Sequence, residues 1–100
     1  MIAKFKTYQM SLELIERCQK LKIPAYLRTQ LERAALSVAL NLSEGNVRIS
    51  SKDKRRFLMI AYGSIREVQT VLHIAKARQE FDLADQIGAC IYTMQRNLGP

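Results

Sequence analysis

Apolar residues recur along this chain at intervals of three and four, the period of one face of a helix. Phe5, Tyr8, Leu12, Ile15 and Cys18 keep that spacing and predict a first helix from about Phe5 to Leu21. Lys22-Ile23-Pro24 interrupts it. Proline fits the first turn of a helix, where its missing N–H costs no bond, so a second helix is expected from near Pro24 to about Glu44. Its core stripe is Leu27, Leu31, Ala34, Ala35, Val38 and Leu42. Gly45 then stands where a left-handed C-terminal cap is expected. Residues 46–50 read as a turn, with Ser50 placed to cap a third helix and Asp53 near that helix's free amides. This helix is predicted from about Ser51 to Arg78, with Phe57, Ile60, Ala61, Ser64, Val68, Val71, Leu72 and Ala75 inside. Asp82 is placed to cap a fourth, burying Leu83, Ile87, either Ile91 or Cys90, Met94 and Leu98, and Gly99-Pro100 marks its end.

No segment sustains the period-two alternation of a strand. Short turns set consecutive helices antiparallel, so the expected fold is all-α, an antiparallel up-down-up-down four-helix bundle forming a single domain over residues 1–100. A chain this long can bury one modest core, so stability alone demands no partner.

Two groups on the second and third helices point away from that core. At 100° per residue, Leu36 and Leu40 lie roughly opposite Leu31 and Val38. On the third helix Leu58 and Ile65 flank the inner stripe, and Met59 and Gly63 lie beyond it. A glycine inside a helix costs about 1 kcal/mol, which a close helix approach would offset. These residues either widen the core or form a seam with a second copy; the leucine spacing favours the seam, and a homo-oligomer through Leu36, Leu40, Met59 and Gly63 is expected. Beside the leucines runs a polar stripe of Gln30, Arg33, Ser37, Asn41 and Glu44. It can be a solvated face, a ligand site, or a hydrogen-bonded network with Ser64 and Glu67. The hairpin register favours the network, with a partly buried Arg33–Glu67 pair setting register more than stability.

The net charge of +7 favours nucleic acid, an anionic membrane surface or an acidic protein as partner. That charge is uneven. Arg48, Lys52, Lys54, Arg55 and Arg56 cluster with only Asp53 against them, and Tyr62 and Arg66 can extend the same surface. Contacts to a polyanion through such residues would be largely blind to sequence. A protein-interaction scaffold docking an acidic partner is the alternative, and a bundle whose basic residues only confer solubility is the plainest reading.

Catalytic chemistry is sparse. His73 is the only histidine, and no Glu-x-x-His pair of the di-iron bundles occurs. Cysteine and histidine spacing makes no zinc site, and no glycine loop could cradle phosphate. Cys18 and Cys90 sit at apolar helical positions and read as free core thiols. No metal, cofactor or enzymatic activity is expected. No apolar run approaches the ~18 residues of a membrane span, no signal peptide is visible, and a cytoplasmic location is expected.

The run Gln30-Leu-Glu-Arg-Ala-Ala-Leu-Ser-Val-Ala-Leu-Asn-Leu-Ser-Glu-Gly45 resembles the signature of the four-helix-bundle proteins encoded in 23S rRNA intervening sequences. Phe57-Leu-Met-Ile-Ala-Tyr-Gly-Ser-Ile-Arg-Glu67 resembles the matching signature of their third helix. Arg33, Ser37, Asn41, Glu44, Gly45, Gly63, Ser64 and Glu67 fall where that pattern has them. The resemblance implies a bundle that assembles into a ring, often a pentamer, and RNA binding inferred from where the family's genes lie. It also implies a more distant kinship with the accessory variability protein of diversity-generating retroelements, a ring that binds a reverse transcriptase and nucleic acid. On these grounds the surface made by Arg48, Lys52, Lys54, Arg55, Arg56 and Arg66 is expected to meet RNA or DNA, or a protein such as a reverse transcriptase.

Overall fold

The structure, a computed structural model, describes residues 2–99, with side chains over 3–99; Pro100, expected to help end the fourth helix, lies outside the described residues. Four helices account for nearly all of it: α1 (Ile2–Gln19), α2 (Ala25–Asn46), α3 (Ser51–Ile74) and α4 (Arg78–Asn97). No strand occurs among the described residues. The helices form a four-helix bundle in cyclic order, α2 packing on α1 and α3, and α4 on α3 and α1. Arg33 meets Glu67 and Ser37 meets Ser64, while Gly45 faces Phe57, so α2 and α3 pass each other in opposite senses.

Two helices keep the core faces that their sequence pattern predicts. In α2, Leu27, Leu31, Ala34, Ala35, Val38 and Leu42 are all buried, joined by Ala39. In α4, Leu83, Ala84, Ile87 and Ile91 are buried; Ile91, not Cys90, takes the inner position. The α3 face is rotated from the expected one. Leu58, Ala61, Ile65, Val68 and Leu72 carry the core, and Ile60 is exposed.

The largest departure is in α1. Phe5 is 67% exposed and Leu12 is also at the surface, whereas Thr7, Ser11, Leu14 and Cys18 face the core. The hydroxyls bury at little cost because each donates within its own helix, Thr7 Oγ1 to the Ala3 carbonyl at 2.7 Å and Ser11 Oγ to the Tyr8 carbonyl at 2.6 Å. Two small polar residues on the inner face therefore look like surface to a hydropathy pattern.

Helix ends were also set differently. Gly45 lies inside α2 with an ordinary helical φ, and Val47 is the cap. The glycine serves a close approach: a Cβ there would stand 3.1 Å from Cβ of Phe57. α3 ends at Ile74, short of Arg78, because Lys76 adopts a left-handed φ of 59°. The Ala77 N–H then bonds the Leu72 carbonyl at 3.0 Å and the Lys76 N–H bonds that of His73 at 3.1 Å, a complete Schellman closure. Ala77 consequently becomes the cap of α4, and Asp82 lies inside that helix. At the α1–α2 turn the Arg28 guanidinium donates to the carbonyls of Leu21 and Cys18, placing a cation on the negative end of α1.

Candidate nucleic-acid and self-association surfaces

α3 begins where Ser50 caps it, its hydroxyl accepting from the Asp53 N–H at 3.1 Å. That start fixes how the basic cluster is displayed, and its members meet different fates. Arg48 ion-pairs with Glu44 and lies 4.9 Å from the Phe57 ring centroid, with Nε buried and unpartnered. Arg55 reaches across to α4, donating from Nη2 to the carbonyls of Leu98 and Gly99, both at 2.8 Å. Lys54 donates to the Asn46 carbonyl at 3.5 Å and lines a cavity of about 590 Å³ at this end of the bundle, with Lys4, Phe5, Tyr8 and Met94. Burial, and then the neighbouring Lys4, lower the pKa of its ammonium.

Lys52, Arg56 and Arg66 are exposed and form no ion pair among the described residues. At 100° per residue they fall within one sector of α3 on its outer side. Arg56 also sits 5.0 Å from the Phe57 centroid, and Arg66 donates to Gln69 Oε1 at 3.3 Å. Exposed Arg96 of α4, which the sequence pattern did not single out, adds a further cation.

The polar stripe divides as well. Ser37 and Ser64 share a hydrogen bond of 2.7 Å across α2 and α3. Asn41 Nδ2 supports it, donating to the Ser37 carbonyl at 2.8 Å and to Ser37 Oγ at 3.2 Å. Arg33 and Glu67 stand 3.8 Å apart, but their side chains are 72% and 46% exposed, so the expected partly buried pair is a solvated one. Arg33 lies on the outer flank of α2 and also donates to Gln30 Oε1 at 2.6 Å. Such a pair contributes under about 1 kcal/mol. Glu44 joins Arg48 instead of this group.

On the outer face of α2, Leu36 is 51% and Leu40 58% exposed. Val47, also exposed, continues their stripe at a spacing of seven. Met59 and Ile60 of α3 are exposed too. Around a Cβ built on Gly63 nothing lies within 4 Å, so no intramolecular contact calls for a glycine there. Ile49, in the turn, is almost fully exposed and belongs to neither apolar stripe.

Over residues 3–96 the chain matches the family model of the 23S rRNA-intervening sequence protein. It belongs to that family. No curated protein matches it. In this family member, Ser37, Asn41, Gly45 and Ser64 act together where α2 meets α3: the first, second and fourth share hydrogen bonds, and the glycine admits Phe57. Gly63 belongs to no such contact.

His73 and Cys18 of this family member have packing roles. His73 meets Phe81 edge-on, with centroids 5.9 Å apart. Cys18 is buried, and burial pushes its thiol up to about 12, so it stays protonated and unreactive at neutral pH. No group of three or more His, Cys, Asp or Glu among the described residues could hold a metal ion. Among the described residues no helix is long and apolar enough to cross a membrane.

Proposed function

We propose that this protein is a non-enzymatic, self-associating RNA-binding module acting in the cytoplasm, whose up-down-up-down bundle is the repeating unit of a ring-like homo-oligomer. The observation that carries the reading is the outer sector of α3, where Lys52, Arg56 and Arg66 are exposed without acidic partners. Arg48 and Arg55, by contrast, have work within the fold. Free cations bind phosphate by releasing condensed counterions, largely without regard to sequence. A ring repeats the sector once per subunit and raises avidity with no new contact. Membership of the 23S rRNA-intervening sequence protein family supports RNA as the polyanion.

The exposed seam of Leu36 and Leu40 on α2 supports self-association; Met59 and Gly63, expected to share it, fall within the basic sector of α3 at 100° per residue. Apolar residues grouped on an outer helical face mark an interface more often than scattered ones do.

Fluorescence anisotropy with labelled RNA tests the binding surface. Lys52→Glu/Arg56→Glu is the informative variant, since replacing Arg55 would also remove the contacts that tie α3 to the end of α4. The variant is expected to keep its helicity and lose RNA affinity at least tenfold, with a salt dependence flattened by about 0.7–0.9 per phosphate contact removed. Undiminished affinity in the folded variant would eliminate this sector. A nuclease-resistant acidic protein captured in place of RNA would favour the scaffold reading.

A further inference from the structure

A shallow depression of about 360 Å³ lies on the outer side of the α3–α4 seam. Tyr62 of α3 and Tyr92 of α4 wall it, with ring centroids 6.0 Å apart and planes inclined at 49°. The rings are not stacked on each other, and Tyr92 is exposed. Gly88 and Ala89 of α4 also line it, and a Cβ on the buried Gly88 would stand 3.5 Å from Cγ2 of Ile65 on α3. A fixed polar chain lies beside the rings. The Gln69 side chain, buried, donates from Nε2 to Asp85 Oδ1 at 3.1 Å and accepts from Arg66 Nη1 at 3.3 Å. Through it a donor group, Arg66, and an acceptor group, Asp85, are held next to two aromatic faces.

We propose that this depression is a docking site for an unpaired nucleobase, so that the protein takes single-stranded nucleic acid in preference to duplex. The inference rests on the RNA-binding reading above and adds the form of the ligand. A base has an apolar face and a polar edge that both donates and accepts, and these surroundings offer a partner for each. Every base has such a face, so stacking on tyrosine is tolerant of sequence. The Asp85 carboxylate disfavours phosphate inside the depression, which leaves the backbone to Arg66 at its edge and Arg96 one turn beyond Tyr92 on α4, with Lys52 and Arg56 farther toward the start of α3. A base locked in a duplex presents no free face, so the geometry selects single strands, loops and bulges.

Tyr92→Ala tests the site, because an exposed ring can be removed without opening the core. Anisotropy is measured for short single-stranded oligouridylate, its DNA counterpart and an RNA duplex of equal length, with circular dichroism confirming helicity. The expected result is a loss of roughly tenfold on the single strands, unchanged duplex affinity, an unchanged salt slope, and retention by Tyr92→Phe. Equal losses on RNA and DNA single strands support a base reader indifferent to the sugar. If Tyr92→Ala binds single strands like the native protein while Lys52→Glu/Arg56→Glu does not, the stacking site is overturned and the basic sector stands. If the native protein binds none of the three at low salt, both readings fall.

Discussion

Arg48, Arg55 and Arg56 are close in the chain and identical in charge, yet each has a different surrounding. Arg48 is committed to Glu44 and Phe57, Arg55 to the last carbonyls of α4, and Arg56 touches only the edge of the fold. Charge counting treats them alike; geometry separates the ones that hold the protein together from those free to meet a ligand. Lys76 is the other residue whose role its type does not suggest. Its φ of 59° is costly for any side chain bearing a Cβ and suits glycine. Lys76→Gly is therefore expected to stabilise the protein by about 0.5–1 kcal/mol, raising Tm by a few degrees in thermal unfolding at matched protein concentration. An unchanged or lower Tm would show that the Schellman closure between α3 and α4 is not strained at Lys76.

At the scale of the element, legibility in the sequence followed the size of the side chains. α2 and α4 present long aliphatic residues to the core, and their periodicity identifies the inner face. α1 buries Thr7 and Ser11, whose hydroxyls are satisfied by their own helix, so its apolar stripe pointed to Phe5 and Leu12 instead. In α3 the pattern is wide enough to include both Ile60 and Ala61, and only the packing of α3 on its neighbours α2 and α4 separates the buried Ala61 from the exposed Ile60. Ser50 announced the start of α3 because its cap is a local hydrogen bond. The end of that helix was hidden, because no glycine marks Lys76. Gly45 is legible as a special position, but its reason is spatial: it admits Phe57 and does not cap α2. Of the polar stripe, the Ser37–Ser64 contact followed from hairpin register, whereas the exposure of Arg33 depended on the distance between helices. The Tyr62–Tyr92 pairing joins residues thirty positions apart on different helices, and no local pattern could bring them together.

At the scale of the whole molecule, the four helices satisfy one another in a bundle and leave two outer surfaces of opposite character. One is the apolar seam on α2, the other the basic sector of α3 with its tyrosine-walled depression toward α4. The seam carries its own prediction. Leu40→Glu places a charge on an already exposed position, so it should leave helicity intact and reduce the mass measured by light scattering to that of the 11.5 kDa monomer. A native protein that is monomeric in dilute solution would remove the seam and the ring together. The central claim, that the free cations of α3 engage RNA, is tested most directly by titrating the native protein with single-stranded RNA across a series of salt concentrations. The account predicts tight binding at low salt and a linear fall of log affinity with log salt, with a slope of about −0.7 for each phosphate contacted. Absence of binding at low salt, or affinity that does not respond to salt, would contradict it.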